Sequence, residues 1–236
     1  MRTTNKQHSD AILGQGAWFK ALPPGLKSLI LDNSILRTFK AGEVISAEDQ
    51  RQTGLWGLLE GQVAVTRRVA DAREFFFHLG GPGFWFGEAG LLSNKAALVT
   101  VTARTAARAL FLPAAKFDQI VEKQVVYYRC FVQLQADRYA LMLRHVAQSG
   151  GLSPDNYLRI RLADISDLIH ADGADTEHVE LTLSQTDVAN MIGTSRQTAN
   201  KLLKQMEREG LIKVSFRKIT ILKPNALRGG HRKTGL

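Results

Sequence analysis

Hydrophobic and polar positions change rhythm several times along the chain. Residues 1–10 (MRTTNKQHSD) are polar, carry no apolar period and are expected to be flexible. Between residues 13 and 36, short amphipathic helical patterns are interrupted by Pro23-Pro24. From Arg37 onward, short apolar runs are split by glycines. Phe39, Gly42, Val44 and Ile45 open this region, and Leu55-Trp56-Gly57-Leu58-Leu59 follows. Glu60-Gly61-Gln62 separates that run from Val63-Ala64-Val65, giving strand, tight turn and strand. Residues 73–79 (REFFFHL) read as another strand and residues 80–83 (GGPG) as a turn cluster. Residues 98–112, rich in Val, Thr and Ala, close the strand region. Short strands at this spacing predict an antiparallel barrel or roll.

Pro113 ends the strands, and the period then becomes helical over residues 114–149. Two adjoining stripes run along that helix. One is Phe117, Ile120, Tyr127, Phe131, Leu134 and Leu141; the other is Val121, Val125, Tyr128, Val132, Tyr139, Met142 and Val146. Two stripes call for two partners, and a repeat near 3.5 suits pairing with another helix. Tyr127, Phe131, Leu134 and Leu141 are assigned to a seam with a second subunit; packing of both stripes within one monomer is the alternative. Gly150-Gly151-Leu152-Ser153-Pro154 reads as a hinge. Residues 155–170 form one more amphipathic helix, and residues 171–178 an acidic loop of small residues.

Residues 183–212 read LSQTDVANMIGTSRQTANKLLKQMEREGLI, two short helices joined by a tight turn. Ser184 is an N-cap, and Asp187 three residues on completes a capping-box pattern. Val188, Met191 and Ile192 recur at helical spacing, and Gly193 supplies the permissive backbone of a sharp turn. Thr194 or Ser195 caps the second helix, which buries Ala199, Leu202, Leu203 and Met206 and ends at Gly210. It exposes Arg196, Gln197, Asn200, Lys201 and Lys204. This is a helix-turn-helix whose second helix carries its polar side chains where they reach base edges in a major groove. Ser184, Gln185, Thr194 and Ser195 join those five as the expected DNA-contacting set; a helical hairpin with a solvated basic face is the bland alternative. Residues 211–214 and 218–222 read as two strands around Ser215-Phe216-Arg217, a wing. The basic, glycine-bearing tail after Asn225 is expected to be mobile.

Charge sharpens this reading. Residues 182–236 hold 11 Lys/Arg against 3 Asp/Glu, a net of +8 out of +9 for the whole chain. Charge concentrated around such a motif is the footprint of a phosphate-binding face. The 44% hydrophobic content over 236 residues is that of a globular chain with a full core. No apolar run approaches the roughly 18–20 residues of a membrane span. The N-terminus lacks a signal peptide's apolar core, so a cytoplasmic location is expected. The single cysteine, Cys130, excludes an internal disulfide and any all-cysteine metal or iron–sulfur site within one chain. The six histidines are scattered singly, without zinc spacing. No nucleophile–base pair or paired-carboxylate site is visible, which leaves little room for an enzyme.

The order of parts resembles the Crp–Fnr family of bacterial transcription regulators over nearly the whole chain. FKAGEVISAEDQ with LWGLLEGQVAV resembles the opening strands of that family's cyclic-nucleotide-binding-type β-roll. FGEAGLL resembles the start of its phosphate-binding cassette, and residues 183–212 resemble its DNA-binding signature. The resemblance implies an α+β chain with an N-terminal antiparallel β-roll (a double-stranded jelly roll). A long dimerisation helix and a C-terminal winged helix-turn-helix follow. The corresponding boundaries are 1–112, 113–150, a hinge at 151–154, and 155–236. It implies a homodimer on a near-palindromic duplex and, for an activator, RNA polymerase as a partner. Arg196, Gln197 and Lys201 fall where the family's recognition helix presents Arg, Glu and Arg. Arg196 can still read guanine bidentately. Gln197 suits adenine better than cytosine, or else caps the helix back to Thr194. Lys201 is a point charge rather than a planar fork.

The sensor departs from the family pattern. The implied effector pocket comprises Phe86, Gly87, Glu88, Ala89, Gly90, Ala97, Leu98 and Met142. Ala97-Leu98 stands where cyclic-AMP-binding members carry Arg-Ser, so a cyclic phosphate would lose its charge partner and its hydroxyl donor. Leu141-Met142-Leu143 stands where small polar groups should meet the purine. Glu88 occupies the position of the family's ribose-binding Glu, but without its arginine partner. The expected effector is therefore unknown and not cyclic AMP bound in the usual way. Alternatives are a degenerate, ligand-independent sensor, a cyclic-nucleotide responder, or a haem responder through His78. Phe75, Phe76, Phe77, Phe84, Trp85 and Phe86 are candidates for lining a pocket or simply for the core.

Overall fold

The structure, a computed structural model, describes residues 2–69, 74–169 and 178–228. The chain divides into two units. One holds residues 1–67 and 80–143; the other holds 68–79 and 144–236. The first unit opens with helices α1 (Arg2–Leu13), α2 (Ala17–Ala21) and α3 (Pro24–Asn33). Strands β1 (Ile35–Phe39), β2 (Val44–Ser46), β3 (Gly54–Glu60) and β4 (Val63–Arg68) follow. After β5 (Glu74–Gly80), which falls mostly in the second unit, come β6 (Trp85–Phe86), helix α4 (Glu88–Ser93), β7 (Thr100–Ala103) and β8 (Ala107–Pro113). Helix α5 (Ala114–Lys123), a 3-10 turn (Val125–Tyr127) and helix α6 (Tyr128–Gly151) complete the series.

Two antiparallel sheets make the expected roll. In one the order is β1-β8-β3-β6; in the other β7 lies between β2 and β4. Strand β3 explains the layering. Its first six residues are all buried because both of its faces are covered. Leu55 and Leu59 enter a core shared with the helices, where Leu13, Phe19, Leu26, Ile30, Leu112 and Phe131 meet. Trp56 and Leu58 point into the roll interior with Val63, Phe86, Val101 and Ala109. The same alternation divides Phe84-Trp85-Phe86. Trp85 stacks on Phe19 (ring centroids 5.3 Å) in the helical core. Phe84 and Phe86 stack on each other at 6.0 Å beside the roll interior.

Three expectations are corrected. Residues 2–10, expected to be flexible, belong to α1. Leu13 and Ser9 are buried and Lys6 pairs with Asp32 at 2.6 Å, so tertiary contacts supply what the polar sequence does not show. The single helix over 114–149 is broken at Gln124, which leaves helical geometry at φ −139°, ψ 85°. Fourteen residues of unbroken helix would hold Phe117 and Phe131 about 21 Å apart. The break brings their rings to 4.8 Å, edge to face. Phe131 and Leu134, assigned from sequence to a subunit seam, are buried inside the first unit with Phe117, Ile120 and Val121. Tyr127 packs against that core and its hydroxyl lies beside Gly25, while Leu141 is half-buried. The Trp18 indole N–H donates to the Cys130 carbonyl at 2.6 Å and pins the first turn of α6. Of the other stripe, Val121 lies before the break and is buried, whereas Val125, Tyr128, Val132, Tyr139, Met142 and Val146 are all 39–75% accessible.

The second unit contains helix α7 (Pro154–Ile169), strand β9 (Val179–Leu181), helices α8 (Gln185–Ile192) and α9 (Arg196–Arg208), strands β10 (Ile212–Ser215) and β11 (Lys218–Ile221), and helix α10 (Pro224–Leu227). Its three-stranded sheet has the order β10-β11-β9. Leu158, Leu162, Ile165, Val188, Leu203 and Met206 are buried. Arg159 ties α7 to the end of α9 through a two-bonded contact with Glu209 (2.7 and 3.0 Å) and also pairs with Asp155. Arg228 reaches Asp164 (3.0 Å) and Asp167 (2.5 Å). Buried Arg161 donates to the Phe77 carbonyl of β5 and lies against His145. At the expected hinge, Gly150 and Gly151 are the last helical residues of α6, and only Leu152 and Ser153 lie between it and α7. Arg73 of the expected fifth strand, residues 171–177 of the acidic loop and the tail from 229 onward lie outside the described residues. Among the described residues, no helix is long and apolar enough to cross a membrane.

Because Phe131 fills the first unit's core, Phe131→Ala is expected to cost about 3–5 kcal/mol. The check is the urea midpoint of unfolding. A loss within 0.5 kcal/mol, the usual range of a surface change, would contradict this packing.

Candidate nucleic-acid interface

The helix-turn-helix is built by local chemistry. At its entrance, the Asp187 backbone N–H donates to Ser184 Oγ (3.1 Å), and the Ser184 backbone N–H donates to the Asp187 carboxylate (2.8 Å). Two otherwise orphaned donors at the start of α8 are thereby satisfied. Gly193 takes the left-handed conformation at φ 67°, and a Cβ there would meet no neighbour. Its requirement is backbone conformation alone. Ser195, not Thr194, caps α9: its hydroxyl accepts from the Thr198 backbone N–H at 3.1 Å. That leaves Thr194 outside the capping role considered for Gln197.

Helix α9 buries Ala199, Leu203 and Met206, with Leu202 half-buried, and exposes Arg196, Gln197, Lys201 and Lys204. Asn200 is half-buried and accepts a bond from the Gln185 side chain (3.1 Å), which ties the start of α8 to the middle of α9. The helix closes through Gly210 (φ 67°), with the Leu211 N–H donating to the Met206 carbonyl at 3.0 Å. Arg196 and Gln197 are thus the first two residues of a capped, rigid helix. Lys201 and Lys204 extend the same charged face.

In the first unit, the FGEAGLL segment forms the end of β6, a turn and helix α4. Gly87 adopts φ 100° between β6 and α4, and a Cβ there would come within 2.6 Å of the Gly54 carbonyl oxygen. Gly90 is equally close to the buried Gln52 side chain. Ala97 is buried and bonded to the backbone of Asp49 and Gln50, while Leu98 and Met142 are exposed. Glu88 is 8% exposed. Here the structure corrects the expectation that Glu88 lacks an arginine. Arg138 of α6 places its Nε 4.0 Å from Glu88 Oε1. It donates from Nη2 to the Trp85 carbonyl (2.9 Å) and lies 4.3 Å from the Phe84 ring centroid. Burial raises the pKa of Glu88, and Arg138 counteracts part of that. Burial likewise lowers the pKa of Arg138, with Glu88 opposing it. The only sign of Arg138 in the sequence is a cation on an otherwise apolar flank of α6, too common a feature to single it out. Of the other candidate lining residues, Phe75 and Phe77 pack edge to face at 4.8 Å in the second unit, where His78 is buried.

Residues 36–124 match the family model for the cyclic nucleotide-binding domain, and residues 143–229 match that for the Crp-like helix-turn-helix domain. The HTH-type transcriptional regulator Cmr of Mycobacterium tuberculosis is 27% identical over 206 residues, spanning 85% of this chain and 78% of its own. The CRP-like cAMP-activated global transcriptional regulator of the same organism is 21% identical over 212 residues, spanning 90% and 95%. The solved structure of CLP from Xanthomonas campestris, a c-di-GMP responsive global regulator, shares the fold with a TM-score of 0.65. It is 19% identical and covers 84% of this chain and 99% of that one. A cyclic-nucleotide-binding-type roll followed by a Crp-like helix-turn-helix, in that order on one chain, makes this protein a member of the Crp–Fnr family of transcription regulators.

Proposed function

We propose that this DNA-binding, non-enzymatic regulator works in the cytoplasm as a two-fold dimer on a near-palindromic operator, and that cyclic AMP is not its effector. The observation that carries the DNA-contact assignment is the capped N-terminus of α9, which presents Arg196, Gln197, Lys201 and Lys204 on one exposed face. Arg196 reads guanine, Gln197 reads adenine, and the two lysines hold phosphates. Dimerisation falls to the exposed stripe of α6. Tyr128, Val132, Tyr139 and Met142 are large side chains left 39–63% exposed in one chain, and covering what remains of each contributes roughly 1 kcal/mol. Where the protein activates, RNA polymerase is its further partner.

The effector reading rests on the cassette. At its phosphate position stand a buried Ala97 and an outward Leu98, neither of which carries a guanidinium or a hydroxyl; the neighbouring Arg67 guanidinium is engaged by the Leu98 carbonyl (3.1 Å) and by Glu48 (3.2 Å). A lost charge-assisted bond forfeits about 1.5–3 kcal/mol, or about tenfold or more in affinity. The relatives differ in the nucleotide for which they are named, cAMP in one and c-di-GMP in another, so likeness to them selects no ligand. A ligand-independent sensor is the second reading. It is favoured by Glu88 facing Arg138, and by Trp56 stacking on Phe86 inside the roll.

Selection of binding sites from random duplexes should return an inverted repeat with half-sites about 34 Å apart. On it, Arg196→Ala should cost roughly 1–3 kcal/mol, while Lys204→Ala weakens all sequences alike. Recovery of no repeat would sink the DNA assignment. Tyr139→Asp places a charge on the exposed stripe without touching the core. Sedimentation should then show monomer with unchanged far-ultraviolet circular dichroism, whereas a persistent dimer at micromolar concentration rejects this seam. Isothermal titration with cyclic AMP should give binding at least about tenfold weaker than the low micromolar range. A low micromolar constant that Glu88→Ala abolishes would mean the phosphate site is rebuilt from other residues.

A further inference from the structure

Residues 182–236 carry 3 acidic side chains against 11 basic ones, and each acid opposes the attraction of that segment for phosphates. All three are engaged. Asp187 completes the cap of α8, and Glu207 accepts the Val214 N–H at 2.8 Å. Glu209 reaches out of the segment, to Arg159 of α7. Its position is the least favourable for an anion. It is the C-cap of α9, where the helix dipole disfavours negative charge, and it is exposed. Dipole and DNA field both act against this carboxylate, so its use lies in the group it holds.

That contact is a fork. Arg159 Nη1 donates to Glu209 Oε2 at 2.7 Å and Nη2 to Oε1 at 3.0 Å, two bonds that fix direction as well as distance. Arg159 Nε donates to Asp155 Oδ2 at 2.7 Å, one turn back on α7, so the guanidinium is held from both sides. Gln205 Nε2 donates to Glu209 Oε1 at 3.1 Å from within α9. The bonds to Glu209 raise the pKa of Arg159, and those from Arg159 and Gln205 lower that of Glu209. The Arg159 side chain is 14% accessible and all three of its nitrogens are taken, which leaves little of it for a phosphate.

Stability does not account for the fork, since ion pairs this open to solvent add little. Direction does. Helix α9 is held near its middle by the Gln185–Asn200 bond and at its end by Glu209. Two fixed points set the axis of a rigid helix, and base-edge contacts need their side chains held to within about 0.5 Å. We infer that the Arg159–Glu209 fork is a positioning device for recognition. Arg159, which lies outside the helix-turn-helix, sets the axis of α9 and so the discrimination that Arg196 and Gln197 make between base pairs. This rests on the DNA-contact reading of α9. Charge alone predicts the opposite sign: taking an anion from a basic segment should strengthen binding to every duplex.

The test uses the full-length protein with a duplex recovered by selection and an unrelated duplex of equal length, titrated at several salt concentrations. Arg159→Lys keeps the charge and breaks the fork. It and Glu209→Gln should each lower the ratio of selected to unrelated-duplex affinity by about tenfold, the loss of one base contact. Their salt slopes and thermal midpoints should stay close to the parent's. The double variant should fall no further than either single one, the mark of two side chains acting as a unit. Tighter binding to both duplexes in Glu209→Gln, or losses that add in the double variant, would overturn the fork. So would a salt slope lowered by about 0.9 in Arg159→Ala, which would make Arg159 a phosphate contact. A parental ratio in Arg159→Lys and Glu209→Gln beside an impaired Arg196→Ala overturns the fork alone. A parental ratio in Arg196→Ala brings down the contact reading of α9 and the fork's role with it.

Discussion

Trp85 is engaged twice, and most of the first unit depends on that. Its indole packs against Phe19 and Trp18, joining β6 to the N-terminal helices. Its carbonyl accepts from Arg138, joining β6 to α6. Phe131 closes the same cluster from α6, 5.6 Å from Trp18. Gly57 belongs to this joint as well, since a Cβ there would come within 2.8 Å of the Trp85 ring. The joint fixes which way α6 is turned. With Phe131 and Leu134 inward, Val132 and Tyr139 can only face outward, and Arg138 is carried to Glu88.

What could be read in the sequence was local. The helix-turn-helix is specified by caps three residues apart, one glycine and a helical period, and each of these acts within a few residues of itself. The roll was legible for a related reason, since turn glycines and apolar runs mark strand ends. What escaped were decisions made by distant partners. Leu13 and Asp32 hold α1 in place, though nothing within residues 1–10 announces a helix. The break at Gln124 follows from Phe117 and Phe131 sharing one core. Periodicity alone showed two stripes on α6 but could not say which of them faced inward. Glu88 and Arg138 are fifty positions apart, and no spacing rule connects them.

The Glu88–Arg138 pair is not a close ion pair. At 4.0 Å the two charges attract without sharing a hydrogen bond. Burial disfavours the charged form of each and the other partly offsets that; the guanidinium keeps its proton in any case, so it is the Glu88 carboxylate whose charge leans on the pair. Removing either side chain leaves a charge in poor solvent, which typically costs more than the pair contributes. Arg138 meets part of its need elsewhere, through the Trp85 carbonyl and the face of Phe84. Glu88 is therefore the more dependent partner.

That asymmetry bears on how the roll communicates with the rest of the chain. Arg138 and Tyr139 are adjacent on α6, one turned toward the cassette and the other outward. A group that competed with Glu88 for Arg138 would act on the helical turn that also carries the exposed apolar stripe. Its leverage is bounded by differential affinity: a ligand shifts an equilibrium only by as much as it prefers one arrangement over the other. An anionic group would compete with the Glu88 carboxylate for one guanidinium, whereas a hydroxyl could bridge the 4.0 Å gap and keep both charges satisfied. The geometry of this pair thus favours a neutral hydrogen-bonding group over a second anion. On the proposed reading, this adds to Ala97-Leu98 in disfavouring a cyclic phosphate as the effector's anchor.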